Sequence, residues 1–161
     1  SLTKTFTIRP ETMASAVITG CKAKYSYTGK QVKPLIQVVW NGKILRNNTD
    51  YTLLYKNNKK RGSAGIVVTG KSNYSGTLKA SFTIVRASVK KASVTGLKAV
   101  YARTGKAVKP KVTVKLGGKK LKKKRDYILS YRKNKKKGTA LLYVKGVGNY
   151  SGTKKMKFKI R

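Results

Sequence analysis

The side chains that could do chemistry in this chain are almost all cationic. The chain has 40 Lys and Arg, three Asp and Glu and no His, which gives a formal net charge of +37. General acid–base catalysis usually needs His or paired carboxylates. The three acids are Glu11, Asp50 and Asp126, and the two aspartates stand 76 residues apart in two similar stretches of sequence. We therefore expect no enzyme active site and no cofactor.

The sequence offers equally little for metal or covalent chemistry. A metal site needs clustered Cys, His or carboxylates, and none are clustered here. The single cysteine, Cys21, aligns with Leu97 in the second stretch, which predicts a small buried side chain rather than a reactive thiol. Asp50 and Asp126 are predicted to accept backbone N–H groups where a turn enters a strand, with a nearby lysine as a further candidate partner.

Binding by charge is the chemistry that the composition favours. So large an excess of positive charge attracts polyanions through the summed potential of the molecule, whatever the fold. The densest run is KKLKKKRDY at 119–127, and 85–161 holds 26 of the 40 Lys and Arg. The residues predicted to contact a polyanion are Lys119, Lys120, Lys122, Lys123, Lys124, Arg125, Arg132, Lys133, Lys135, Lys136, Lys137, Lys155, Lys157 and Lys159.

An internal repeat positions these residues. Shifted by 76 residues, the sequence overlays itself without a gap: Thr28-Gly29-Lys30 meets Thr104-Gly105-Lys106, for example. In this alignment KKLKKKRDY takes the place of KILRNNTDY at 43–51. The run is therefore predicted to be a folded loop rather than a disordered tail.

The repeat also predicts the domain organisation. We expect a first repeat at 9–85 and a second, highly basic repeat at 86–161. Residues 1–8 share Leu, Phe, Thr and Ile with the end of the first repeat, at the same spacing. They are predicted to form the closing strand of a preceding copy, so we expect this chain to be a slice of a longer array.

Within each repeat, the residue patterns are those of short strands. Apolar, β-branched and aromatic runs alternate with turn residues, and Asn41-Gly42 is a strong hairpin signal. The runs of the first repeat are LIQVVW (35–40), YTLLYK (51–56), AGIVVTG (64–70) and LKASFTIV (78–85). They predict an all-β fold of two tandem small antiparallel β-sandwich modules of about 76 residues each.

The lysines of the second repeat follow the pleat of these strands. In KKMKFKIR (154–161), Met156, Phe158 and Ile160 alternate with lysines. A period of two places the apolar set on one face and the lysines on the other. We therefore expect lysine only where a strand faces water.

Aromatic residues present two alternatives. Tyr51 and Tyr55 share one strand face and have counterparts in the second repeat, which favours core packing with the phenols tied to loops. An aromatic platform for sugars or bases is the alternative, and Trp40 and Tyr27 are its best candidates because their counterparts are not aromatic. Trp40 ends an apolar strand, which favours burial.

The repeat motif resembles a known family. The order Y-x-Y-T-G-K-x-V-K-P, N-G-K-x-L, T-D-Y-x-x-x-Y-x-N-N, G-K-x-N-Y-S-G-T and F-T-I is similar to the tandem bacterial immunoglobulin-like repeats of secreted and cell-surface proteins of Clostridia and their relatives. The resemblance implies a β-sandwich with a surface or spacer role, and no activity of its own. The chain departs from this family in its strong positive charge.

These observations together predict a non-catalytic repeat module that is extracellular, at the bacterial cell surface. The expected partner is an anionic polymer, with teichoic acid, acidic polysaccharide and extracellular DNA as candidates, besides neighbouring repeats of the same chain. A structural stalk or spacer is one alternative, and an adhesin module that recognises a host surface protein is another. No apolar stretch approaches the ~18 residues that span a bilayer, so no membrane insertion is expected.

Overall fold

The computed structural model describes residues 7–161, and this part of the chain is all-β. It contains one short 3-10 helix, Val89–Lys91, and no α-helix among the described residues. The strands form several small sheets of two to four strands, which fit a β-sandwich fold, as the strand patterns predicted.

The chain divides into two compact units. The first unit comprises the residues up to Tyr25 together with Gly29–Val85, and the second unit comprises Ser26–Thr28 and Arg86–Arg161. Most of the strand predicted at 1–8 lies outside the described residues, and Thr7 and Ile8 belong to no strand.

The strands of the two repeats follow the same order. Those of the first repeat are β1 Glu11–Thr12, β2 Val17–Thr19, β3 Lys24–Ser26, β4 Gln37–Trp40, β5 Lys43–Leu45, β6 Tyr51–Lys56, β7 Gly62–Gly70, β8 Tyr74–Ser75 and β9 Thr77–Val85. Those of the second repeat are β10 Ala87–Ser88, β11 Ser93–Thr95, β12 Val100–Tyr101, β13 Thr113–Leu116, β14 Lys119–Lys120, β15 Tyr127–Arg132, β16 Gly138–Gly146, β17 Tyr150–Ser151 and β18 Thr153–Ile160.

Each repeat builds one three-stranded sheet, one four-stranded sheet and one two-stranded pair. In the second repeat the orders are β11-β13-β14, β12-β18-β16-β15 and β10-β17, and the first repeat has the equivalent orders. The long ladders are antiparallel, as predicted, but β1–β8, β10–β17 and β12–β18 pair in parallel. Parallel pairs join strands that are distant in sequence, so turn residues give no sign of them.

The predicted hairpin turn is present in both repeats. Asn41 and Gly42 have φ values of 46° and 77°, and Gly117 and Gly118 have 54° and 75°. Left-handed φ at both central residues is the geometry of a type I′ turn, which matches the twist of the strands that it joins.

The apolar faces of the sheets form the core. In the second unit, Val114 of β13, Leu142 and Val144 of β16 and Phe158 and Ile160 of β18 are all buried. Their outward neighbours on β18 are exposed, so the predicted alternation is confirmed on this strand.

One lysine breaks the expectation that lysine only faces water. Lys154 takes the place of Leu78 of the first repeat, on the inner side of β18, and is half-buried. Its ammonium donates a hydrogen bond of 2.6 Å to the backbone carbonyl of Ala92. A long aliphatic stem lets lysine occupy such an edge position, because the charged end finds an acceptor beyond the apolar surface.

Most of the tyrosines pack as predicted. The hydroxyl of Tyr131 donates to the carbonyl of Pro110 at 2.7 Å, and Tyr55 makes the equivalent bond to Pro34. The hydroxyl of Tyr101 accepts the backbone N–H of Lys98 at 2.8 Å. Burial raises the pKa of Tyr55 and that of Tyr131 above the usual value.

Trp40, Tyr27 and Cys21 are all half-buried. The indole N–H of Trp40 donates to the carbonyl of Thr12 at 3.0 Å, and its ring meets Tyr74 edge-on at 5.4 Å between centroids. Trp40 is therefore engaged in packing rather than presented as an open platform. Cys21 was expected to be buried, but it is only partly buried.

The lysines of β13 and β14 generate a stability prediction. Lys115 and Lys120 face each other across the antiparallel pair, where the first repeat has Val39 and Ile44. Directly opposed like charges destabilise a sheet. Changing Lys115→Val together with Lys120→Ile should stabilise the second unit by about 0.2–1 kcal/mol. Urea unfolding at low and high salt measures this, and the gain should shrink as salt screens the repulsion.

The matched control removes two lysines that are not opposed across strands. Lys90→Ala with Lys91→Ser installs the residues of the first repeat, Ala14 and Ser15, and removes the same net charge. If this control stabilises the second unit equally, net charge rather than the cross-strand pair sets the cost.

Candidate functional site

The structure exposes all fourteen predicted binding residues to solvent, and all belong to the second unit. They fall into three groups. We name residues 119–125 the basic loop, residues 132–137 the clamped loop, and Lys155, Lys157 and Lys159 the lysine ladder.

The basic loop is a folded segment, as its alignment with 43–51 predicted. It begins as strand β14, buries Leu121, whose exposed fraction is 3%, and ends in a turn. Lys124 adopts a left-handed φ of 70°, and its N–H donates to the carbonyl of Tyr127 at 2.7 Å. The lysine side chains of this loop therefore project from an ordered backbone.

A buried carboxylate closes the basic loop. Asp126 is only 5% exposed, and it accepts the backbone N–H of Lys122 at 2.8 Å. The guanidinium of Arg125 adds two contacts, from Nη2 at 2.9 Å and from Nε at 3.0 Å. The hydrogen bonds from Arg125 are the main reason why the pKa of Asp126 is lowered, and the Lys122 N–H adds to them. The predicted backbone role is thus confirmed, but the side-chain partner is arginine rather than lysine.

Asp50 has the same role in the first unit. It accepts the backbone N–H of Arg46 at 2.8 Å, which is the main cause of its lowered pKa, and also the Nε of Arg46 at 3.3 Å. Both aspartates are therefore committed to their own turns. In the part of the chain that the structure describes, neither forms a salt bridge with a lysine.

The clamped loop connects β15 to β16. Asn134 fixes it, because its carbonyl accepts the N–H of Val108 at 2.7 Å and its side-chain amide donates back to the carbonyl of Val108 at 2.9 Å. Asn58 makes the same two bonds to Val32 in the first unit. Each loop borders a recess of about 500 Å³.

The charge of the clamped loop is not particular to the second repeat. Lys59, Lys60 and Arg61 occupy the positions of Lys135, Lys136 and Lys137. The alignment shows that these two sets of cations are equivalent, but a comparison of the net charges of the repeats does not reveal it. Within the three groups, the basic loop and the lysine ladder therefore carry most of the difference in charge between the two repeats.

The lysine ladder lies on the outer face of the four-stranded sheet. Lys155, Lys157 and Lys159 stand opposite Tyr143, Leu141 and Thr139 of β16, in that order. The guanidinium of Arg132 lies 5.8 Å from the centre of the Tyr143 ring, a cation–π contact.

The three groups do not form one patch. The basic loop ends just before the first residue of β15 and the clamped loop begins at its last residue, Arg132, so the length of β15, about 17 Å, separates them. The far end of the ladder lies near the clamped loop, because Ile160 pairs with Gly138. The site is thus a cationic surface on the four-stranded sheet and at both of its ends, and it includes Lys119 and Lys120 on strand β14 of the three-stranded sheet.

Two further cations belong to this surface and were missed from the sequence. Lys145 is exposed on β16 opposite Thr153, and Arg161 is exposed at the end of β18. The sequence signal that could have found them is the period-two alternation of β16 and β18. It places Lys145 on the same face as the ladder and Arg161 just beyond the end of the ladder.

The described residues provide no site for a metal ion, since no three His, Cys, Asp or Glu side chains cluster in 7–161. No helix in this part of the chain is long and apolar enough to cross a membrane.

Comparisons of the chain with known protein families, with curated proteins and with solved structures found no match. The function is therefore inferred from the cationic surface itself.

The buried carboxylate of the basic loop generates a pH prediction. A folded-state pKa below the unfolded value means that the stabilisation is complete above about pH 4 and is lost as the pH falls through the folded pKa. Asp126→Asn should destabilise the second unit at pH 7 by about 1–3 kcal/mol, because the hydrogen bonds to a charged acceptor disappear. Urea unfolding at pH 7 and at pH 3 measures both effects.

In Asp126→Asn, the stability of the whole chain should depend less on pH than in the parent chain. Some pH dependence should remain, because Asp50 still titrates in the first unit. A variant as stable as the parent chain at pH 7 would show that the carboxylate is not needed to close the basic loop.

Proposed function

We propose that this chain is a non-catalytic repeat segment of a bacterial surface or secreted protein, and that its second unit binds anionic polymers by charge. The observation that carries the proposal is the lack of neutralisation. Residues 85–161 contain 26 Lys and Arg and a single acid, Asp126, which is buried against Arg125. The cations of the basic loop, the clamped loop and the ladder are all exposed.

The distribution of these charges favours a polymer over a small anion. The cations are spread over two loops and a sheet face, so a long ligand can contact many of them at once. Each contact is weak, because exposed ion pairs contribute about 0–1 kcal/mol. The affinity therefore comes from the number of contacts, and it should fall steeply as the salt concentration rises.

The bacterial surface location comes from the resemblance of the repeat motif to bacterial immunoglobulin-like repeats. Cell-wall polymers such as teichoic acid, acidic polysaccharides and extracellular DNA all provide the required charge. A stalk or spacer is the second candidate function, and the same strand order in both repeats favours it. The two functions are compatible, since a stalk can also bind the wall.

Binding to isolated Gram-positive cell walls tests the proposal. The full chain should be retained at low salt and released at about 0.5 M salt, where the Debye length is only several ångströms. Walls stripped of teichoic acid should retain less protein if that polymer is the ligand. Full retention at high salt, or none at low salt on walls, acidic polysaccharide and DNA alike, would contradict charge-based binding.

A variant of the basic loop tests where the charge acts. Lys123→Asn with Lys124→Asn installs the residues of the first repeat, whose equivalent loop is closed by the same aspartate contact. Arg125 is kept, because it pairs with Asp126. The slope of log affinity against log salt should become shallower by about one for each phosphate that the variant no longer neutralises.

The control for this variant is Lys90→Ala with Lys91→Ser, which removes the same charge outside the three groups. An equal loss of affinity in the control would mean that net charge matters and that the basic loop does not.

A further inference from the structure

The lysine ladder is a regular array of charge. Lys155, Lys157 and Lys159 project from the same side of β18, so their Cα atoms repeat about every 6.7 Å. The four strands of this sheet, β12, β15, β16 and β18, contain no Asp or Glu. The face therefore presents evenly spaced positive charge with no acid between.

A recess lies beside two of the three lysines of the ladder. This recess of about 390 Å³ is lined by Val100, Thr139, Lys157, Lys159 and Arg161, among others. Thr139 also borders the recess of about 500 Å³ beside the clamped loop. The ladder thus leads into Lys135, Lys136 and Lys137 along one cationic path.

The first repeat lacks the ladder but keeps the clamped loop. Its residues at the ladder positions are Lys79, Ser81 and Thr83, all exposed on β9. Val85 stands where the second repeat has Arg161. The same backbone therefore accepts both versions of this face, and each repeat supplies matched substitutions for the other.

The spacing and the chemistry of the face favour one class of polymer. Lysine ammonium groups act as point charges on flexible stems, which suits a chain that carries one anion in every short repeat. In a phosphodiester chain linked by short carbon units, the distance between successive phosphates is close to the length of two strand residues. An acidic polysaccharide carries its charges on stiff sugar rings, so its charge spacing adjusts less easily to that of the ladder.

Single-stranded nucleic acid has a similar phosphate spacing, but it also needs aromatic faces on which bases stack. The aromatic side chain on this face is Tyr143, and Arg132 already lies over its ring. A polymer recognised through its phosphates alone fits the face better.

We propose that the outer face of the four-stranded sheet in the second unit binds a linear polyol phosphate, whose successive phosphates pair with Lys155, Lys157 and Lys159. This inference rests on the proposed function and assigns it a site and a polymer class. Binding also relieves the repulsion among the lysines, so the polymer should raise the unfolding temperature of the second unit.

The test uses the full chain and a poly(glycerol phosphate) of defined length, with affinity measured by calorimetry at low salt. Lys157→Ser with Lys159→Thr installs the first repeat's residues and should weaken binding roughly tenfold, the loss expected for two favourable surface ion pairs. Lys90→Ala with Lys91→Ser removes the same charge away from the face and should weaken binding less than about threefold.

A gain-of-function variant keeps the test independent of any folding defect. Ser81→Lys with Thr83→Lys builds the ladder on the first repeat and should provide a second binding site. Calorimetry should then give a stoichiometry near two polymer segments per chain, with the parent chain as the reference.

The outcomes separate this inference from the proposed function. Equal weakening in the ladder variant and the control would overturn the ladder site and leave charge-based binding intact. Tighter binding of oligothymidylate than of poly(glycerol phosphate) with the same number of phosphates would overturn the polymer class. The proposed function fails as well if the parent chain binds none of the four ligands: poly(glycerol phosphate), oligothymidylate, acidic polysaccharide and cell walls.

Discussion

The alternation of side chains between the two faces of a strand is the constraint on which this molecule depends. The inner positions of β18 hold Phe158 and Ile160 in the core, so they cannot become charged without loss of the fold. The outer positions only face water, where the dielectric constant is high and an isolated charge costs little. One backbone can therefore carry two very different surfaces, and the two repeats show both.

Crowded positive charges still repel one another and lower the stability of the fold. Local contacts limit this loss of stability. Asp126 is placed where the basic loop turns back, so its carboxylate organises the loop through Arg125 and the Lys122 N–H. Lys154 shows the limit of substitution, because it lies on the inner side only where a backbone carbonyl accepts its ammonium. Elsewhere in the second unit the lysines remain in solvent, where counterions screen them.

The sequence predicted the parts of this structure that depend on local pattern. The gapless repeat and the period-two runs indicated the strands, the Asn41-Gly42 hairpin and the outward direction of Lys155, Lys157 and Lys159. They did not predict the parallel pairs or the edge position of Lys154, since both depend on which strands meet. The same limit applies to the site: all fourteen residues were found to be exposed, but their separation into two ends and a face follows from strand order alone. No sequence pattern marked the half-buried states of Cys21 and Trp40.

The clamped loop has a consequence for how such repeats could be diversified or engineered. Its conformation is set by Asn134, which bonds twice to Val108, and by the left-handed φ values of Lys133 and Gly138, 55° and 130°. The three side chains between Asn134 and Gly138 are exposed. Their identity is therefore largely independent of the scaffold's stability. The segment is suited to serve as an exchangeable cassette, in which new binding sequences are displayed once per repeat along an array.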